Sequence, residues 1–166
     1  MILKKKALLY DIENMAYTIA DTGEHDRHTL HRVRDICQDG NIDRISRVLG
    51  LAYSNLLSVL IPLLAAPRID VKKDLSAQPH DYHIRLRDEG NMKFYLTKER
   101  QLKIKETAHE YMVSMVLADW LAITLPEAAD VWQHRATRSL EALKGLVATV
   151  VAASVSNGFR RKLNPF

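Results

Sequence analysis

The sequence has 166 residues, enough for one domain with a hydrophobic core and too few for two domains of ordinary size. Hydrophobic residues make up 47% and charged residues 27%, and the six Gly and five Pro argue against low-complexity, collagen-like and turn-rich all-β chains. Cys37 is the single cysteine, which excludes an intrachain disulfide framework.

The net charge of +4 is concentrated near the two ends of the sequence. Six of the 24 basic residues lie there, and the remaining 18 basic and 20 acidic residues sum to −2. The six are Lys4, Lys5, Lys6, Arg160, Arg161 and Lys162. Because this surplus lies outside a nearly neutral body, we expect the chain ends to meet an acidic partner or DNA.

The hydropathy pattern predicts a soluble protein made in the cytoplasm. The first residues turn basic without a following apolar core, so no secretory leader is expected. The uncharged stretch 51–67 contains serines, an asparagine and two prolines, and we predict that it does not span a membrane.

Apolar residues at helical spacing predict three helices in the first third of the chain. The first ends near Asp21, the second covers about residues 24–38, and the third ends near Pro62. Their predicted core residues are Leu8, Ile12, Met15, Ala16, Ile19, then Leu30, Val33, Ile36, Cys37, then Ile45, Val48, Leu49, Ala52, Tyr53, Leu56 and Leu60.

The pattern then changes to a period of two. Apolar residues alternate with polar ones at Ile69 and Val71 and again at Tyr82, Ile84 and Leu86. We predict two short antiparallel strands, a β-hairpin insertion at about 68–88, that leans on the helices or on a neighbouring subunit.

Two long helices are predicted to follow. The fourth covers about residues 98–123, and the fifth begins near Pro126 and ends at Gly158. The sequence therefore predicts a mainly α fold: a bundle of about five helices over residues 1–158, with the hairpin insertion and an extended basic C-terminal tail over 159–166.

The end of the fifth helix carries no charged residue from Gly145 to Phe159. A helix that is apolar on every side is buried on every side, either in the centre of the bundle or against another subunit. The predicted subunit interface combines this segment with the hairpin: Val147, Val151, Val155, Ile69, Val71, Tyr82 and Ile84.

No motif of catalytic, cofactor or metal chemistry is recognised, so we predict a protein that is not an enzyme and has no cofactor. His109 and Glu110 lack the second histidine of a zinc-protease helix, since Val113 stands four residues after His109. The acid and histidine group Asp21, Glu24, His25, His28 and His31 is interpreted as helix surface rather than a metal site. The basic group Lys93, Lys98, Arg100, Lys103 and Lys105 is interpreted as a solvated face, with nucleic-acid contact as the alternative.

Several segments resemble small proteins encoded in the structural-gene blocks of tailed phages and prophages of gut anaerobes. They are residues 10–14 (YDIEN), 24–28 (EHDRH), 35–44 (DICQDGNIDR), 109–111 (HEY), 116–121 (VLADWL), 126–129 (PEAA) and 160–166 (RRKLNPF). The architecture also resembles phage head–tail connector (adaptor) proteins.

That resemblance implies a structural subunit of the virion neck, between head and tail. Such proteins form a ring, usually of twelve copies, below the portal protein, contact other neck and tail proteins, and let DNA pass through the middle. Their C-terminal extensions dock onto the portal, a role that falls here on Phe159, Arg160, Arg161, Lys162, Leu163 and Phe166. Alternatives are another neck component (a stopper or tail-completion protein), a helical DNA-binding regulator and, from a third class, a small enzyme.

Overall fold

The computed structural model describes residues 1–22, 26–65, 81–87 and 92–163, with the backbone alone at 93, 94 and 156–163. The predicted mainly α fold with five helices and a two-stranded antiparallel sheet is confirmed. The five helices are α1 (Lys5–Thr22), α2 (Arg27–Arg34), α3 (Ile42–Leu60), α4 (Lys98–Thr124) and α5 (Pro126–Leu163). One-turn helices span Asp35–Cys37, Ile61–Leu63 and Met92–Tyr95.

Helix α4 is the centre of the bundle. It contacts α1, α2, α3 and α5, and thirteen of its residues are buried, on nearly all sides of its second half. The uncharged end of the fifth helix is a candidate for this central position from its sequence. The structure gives it to α4, because four helices cover α4 whereas α5 packs mainly along one side of it.

Contacts between the helices fix their directions. Asp11 of α1 meets His109 of α4 (Oδ2 to Nε2, 2.7 Å), and the strand before α1 also contacts α4. At its other end α1 contacts α2 through Asp21 and Arg34, and α2 contacts Trp120 near the end of α4. Thus α1 and α4 run parallel, with their first residues at the same end of the bundle.

Helices α3 and α5 run opposite to α4. Arg44, near the start of α3, pairs with Asp119 near the end of α4. Helix α5 follows α4 after the single residue Leu125 and packs back along it. Its 38 residues extend over about 57 Å at 1.5 Å per residue, eleven residues longer than α4 with 27.

The sheet joins distant parts of the chain. Strand β1 (Ile2–Lys4) pairs antiparallel with β2 (Asp81–His83), and Leu3 and Tyr82, which face each other, are both buried. The predicted second strand is therefore present, and Leu86 forms an isolated bridge to Leu64. The alternation of apolar residues does not predict this pairing with β1, because it identifies a strand but not the segments that pair with it. The predicted partner residues Ile69 and Val71 lie outside the described residues.

Two helix details differ from the sequence prediction. Met15, predicted to face the core, is exposed on α1, where Leu8, Ile12, Ala16 and Ala20 form the buried stripe. Helix α5 passes Gly158 and continues to Leu163. A glycine inside a helix costs only about 1 kcal/mol relative to alanine, which a long packed helix tolerates. Residues 159–163 of the predicted extended tail are thus helical, and 164–166 lie outside the described residues.

By length and composition alone, one segment of the described chain, Ile42–Leu63, is apolar enough to cross a membrane. Core helices of soluble proteins pass the same test, and here Ile45, Leu49, Ala52, Leu56 and Leu60 form a buried stripe in the bundle. The expectation that residues 51–67 do not span a membrane stays a prediction.

Candidate functional site

Three residues of the predicted subunit interface belong to the core of the single chain. Tyr82 and Ile84 are each 1% exposed and Val147 is 6% exposed. Their side chains are already covered by this chain and offer little surface to a second copy, and their place in a subunit interface stays a prediction. The sequence alone does not distinguish an apolar residue that is covered by its own chain from one that is covered by another chain.

The outer side of the last described turns of α5 is exposed and uncharged. Val155 is 54% exposed, Val151 is half-buried, and Val150 on the opposite side is buried. We call the exposed residues on this side the neutral face: Gly145, Ala148, Thr149, Ala152 and Val155. The Thr149 hydroxyl donates to the carbonyl of Gly145 at 2.8 Å, so its donor is satisfied within the helix.

A second uncharged surface lies on the outer side of α3. Leu51 and Ile61 are each 63% exposed, and the exposed residues between them are Ser54, Asn55 and Ser58. Both serine hydroxyls donate to backbone carbonyls of their own helix, at 3.0 Å and 2.7 Å. We call this surface the α3 face.

The predicted portal-docking residues and part of the histidine group lie outside the described side chains. Nothing in the structure places the side chains of Phe159 to Phe166, or His25. His28 is exposed, and His31 pairs with Asp35 (Nδ1 to Oδ2, 2.8 Å). Among the residues that the structure describes, no three metal-ligating side chains come together.

An open cleft of about 350 Å³ lies where α2, α3 and α4 meet. It is lined by Arg32, Asp35, Asn41, Arg44, Trp120, Ile123 and Thr124. Arg44 donates from Nε and Nη2 to Asp119 Oδ2, at 3.0 Å and 2.9 Å, and Arg32 donates to the Ile123 carbonyl at 3.4 Å. The indole N–H of Trp120 donates to the Val33 carbonyl at 3.1 Å. These contacts join the ends of α2 and α4 and the start of α3 around the cleft.

Cys37 is not an activated nucleophile. Burial raises the pKa of its thiol to about 11, with a smaller contribution from the negative charge of Glu13. The Sγ donates to the carbonyl of Leu9 at 3.7 Å. The thiol therefore stays protonated near neutral pH, and a thiolate is what nucleophilic or metal chemistry needs.

The basic residues that the sequence places in separate segments come together at one end of the bundle. We call this the lysine end and define it by residues 1–6, 81–87 and 98–106. Since α1 and α4 run parallel with Asp11 beside His109, Lys5 lies level with Lys103. Strand β2 reaches the same end, because the amide of Ile84 donates to the Met1 carbonyl at 2.9 Å and Arg85 follows it.

Five of the nine Lys and Arg of the lysine end are exposed lysines with no carboxylate partner among the residues that the structure describes. The ion pairs among the described residues involve none of Lys4, Lys6, Lys98, Lys103 or Lys105, and all five are exposed. Arg87 and Arg100 donate to the backbone carbonyls of Leu64 (2.7 Å) and Tyr95 (2.8 Å), and no ion pair among the described residues involves either of them. The basic clusters at the chain start and in the fourth helix are visible in the sequence. No sequence pattern indicates that they lie close to each other or to Arg85 and Arg87.

Comparison with known proteins gives no relative to guide the interpretation: no family model, no curated protein and no solved structure matches this chain.

Proposed function

We propose that this protein is a structural subunit of a phage neck, a head–tail connector that forms a ring below the portal. The observation that carries the proposal is the pair of exposed, uncharged surfaces, the neutral face of α5 and the α3 face. Removing an uncharged surface from water costs little free energy, whereas removing an exposed charged helix face costs much more.

A closed ring needs two different surfaces on each subunit, one that meets the neighbour on each side. The two uncharged faces lie on different helices and supply such a pair. Their hydroxyl side chains, Thr149 on α5 and Ser54 and Ser58 on α3, donate to their own helices, so these hydroxyls require no partner across an interface. In the assembled neck, the partners are further copies of this chain, the portal protein and other neck and tail proteins. The subunit would be made in the host cytoplasm and built into the virion, with no membrane role.

The length of α5 supports docking at a distance from the ring contacts. The helix extends well past the level at which α4 begins, so its end is available to a neighbouring layer of the particle. We assign portal docking to residues 159–166, with Phe159 and Phe166 as apolar anchors and Arg160, Arg161 and Lys162 as partners for acidic groups.

The test introduces a charge into each face and measures the oligomeric state by light scattering after gel filtration and by native mass spectrometry. We expect Ala152→Glu or Leu51→Glu to raise the concentration for half-assembly at least tenfold, since each interface would bury an unpaired carboxylate. Ala142→Glu is the matched control: it adds the same charge at an exposed position of α5 before the neutral face and should assemble like the wild type.

A second experiment mixes the protein with portal-bearing heads and measures its attachment to them. Removal of residues 159–166 should preserve the ring and abolish attachment. A wild-type chain that stays monomeric at high concentration and also in the presence of these heads would contradict the connector role. Equal assembly of Ala152→Glu and Ala142→Glu would show that the neutral face is not an interface.

A further inference from the structure

The lysine end carries a concentrated positive charge. Its residues 1–6, 81–87 and 98–106 include nine Lys and Arg and three Asp and Glu, a net charge of +6. The opposite end, residues 21–22, 26–47 and 119–130, includes five Lys and Arg and eight Asp and Glu, a net charge of −3. Among the described residues, the charge is thus polarised along the bundle.

The cations of the two ends also differ in what they contact. At the opposite end, Arg34 and Arg44 pair with Asp21 and Asp119. At the lysine end, Lys4, Lys6, Lys103 and Lys105 are exposed without a carboxylate in ion-pair distance among the described residues. The described residues therefore show no ion pair that stabilises this grouping of lysines, and like charges close together repel each other. An anionic partner would relieve that repulsion.

The distribution of the charges indicates an extended partner. They lie on a strand and on two parallel helices, and adjacent packed helices are separated by about 8–10 Å. Along α4, Lys98 and Lys105 are about 10 Å apart at 1.5 Å per residue. A single small anion reaches only one or two of these cations, whereas a polyanion with regularly spaced phosphates contacts several.

We propose that the lysine end binds the phosphate backbone of double-stranded DNA without base specificity. The choice of double-stranded DNA as the polyanion rests on the proposed connector role, in which DNA passes the subunits. An anionic membrane is the less favoured partner, because membrane binding also needs buried apolar area. The large apolar residues exposed at this end, within the part that the structure describes, are Ile2 and Leu102, on different elements.

The test measures binding of a fluorescent DNA duplex of arbitrary sequence to the full chain by anisotropy, over a series of salt concentrations. With about four phosphates neutralised, the slope of log K against log salt should be about −3.6, which is roughly a hundredfold loss of affinity between about 50 and 200 mM salt. A second duplex of unrelated sequence should bind equally well.

Two double variants of equal net charge separate position from total charge. Lys103→Gln/Lys105→Gln should weaken binding about tenfold at about 100 mM salt and lower the slope by about 1.8. Arg27→Gln/Arg47→Gln removes the same charge from exposed positions of the opposite end and should bind within about twofold of the wild type. A third variant of the same net charge, Lys4→Gln/Lys6→Gln, tests strand β1 and the start of α1 and should behave like the first variant.

Three outcomes would overturn the proposal. One is the absence of duplex binding at about 50 mM salt, and another is an equal loss in the variants of both ends. The third is tighter binding to vesicles with anionic lipid than to the duplex, which would assign the surface to a membrane. Ring formation is measured separately, so a protein that assembles but does not bind DNA would refute this inference and leave the connector role standing.

Discussion

The two ends of the bundle differ in what several of their cations contact. At the end formed by α2, the start of α3 and the end of α4, three of the five arginines bind carboxylates or carbonyls of neighbouring elements: Arg34 with Asp21, Arg44 with Asp119, and Arg32 with the carbonyl of Ile123. At the lysine end, the exposed lysines lack such partners among the described residues. The number of basic residues in a segment therefore does not indicate their role. The groups that each one contacts distinguish cations that stabilise the fold from cations that are available to a ligand.

The largest expected effect concerns the packing of the opposite end. Trp120 is 7% exposed and its indole N–H binds the Val33 carbonyl of α2. We expect Trp120→Ala to lower the free energy of unfolding by about 3–5 kcal/mol in chemical denaturation, because the change leaves a cavity between α2 and α4. Trp120→Phe should cost much less.

Hydrogen exchange of the Trp120→Ala variant tests whether the two ends of the bundle unfold separately. Amides of α2 should lose protection while those of β1 and β2 keep it. Equal loss of amide protection at both ends would show that the bundle unfolds as one unit, and this result would contradict a difference in stability between the two ends.

A smaller effect is expected from single cations at each end. Arg44→Gln should lower the free energy of unfolding by about 0.2–1 kcal/mol, since both partners of the Arg44–Asp119 pair are partly exposed. Lys103→Gln should leave stability unchanged within about 0.3 kcal/mol, because no carboxylate among the described residues pairs with it. If the two variants lost the same stability, the distinction between structural and available cations would fail.

The smallest effect is local and depends on pH. Asp26 caps α2: its carboxylate accepts from the Thr29 hydroxyl (2.6 Å) and from the amides of His28 and Thr29. The bond from the Thr29 side chain, followed by that from its amide, lowers the pKa of Asp26 below the ordinary value of 3.8. The cap is therefore fully effective above pH 3.8 and is lost as the pH falls through the lowered pKa.

NMR measurement of amide exchange in the first turn of α2 checks this prediction. Asp26→Ala should exchange faster than the wild type at neutral pH, and the difference should disappear in acid. A difference that persisted unchanged at low pH would mean that the carboxylate is not the capping group.

Local patterns were sufficient to predict the helices but not their neighbours. The apolar stripes of α1 and α3 and the start of α5 at Pro126 depend on residues three or four apart, which the sequence displays directly. The partner of β2 and the meeting of Lys4 and Lys6 with Lys103 and Lys105 depend on residues about 80 to 100 positions apart. Short-range periodicity carries no information on such contacts. It also does not say what covers an apolar residue, so the apolar character of Tyr82 and Val147 fits a subunit interface as well as a core.

The pairing of β1 with β2 also orders events in folding. Helices α4 and α5 are joined by one residue and make local contacts, which we expect to form early, whereas β1 pairs with a segment nearly 80 residues later in the chain. Lys4 and Lys6 join the cations of α4 only when β1 and α1 pack on α4, so we expect the lysine end to be incomplete until these long-range contacts form. Its completion is thus a late step, so a newly made chain acquires its full set of clustered charges only when the rest of the domain is in place.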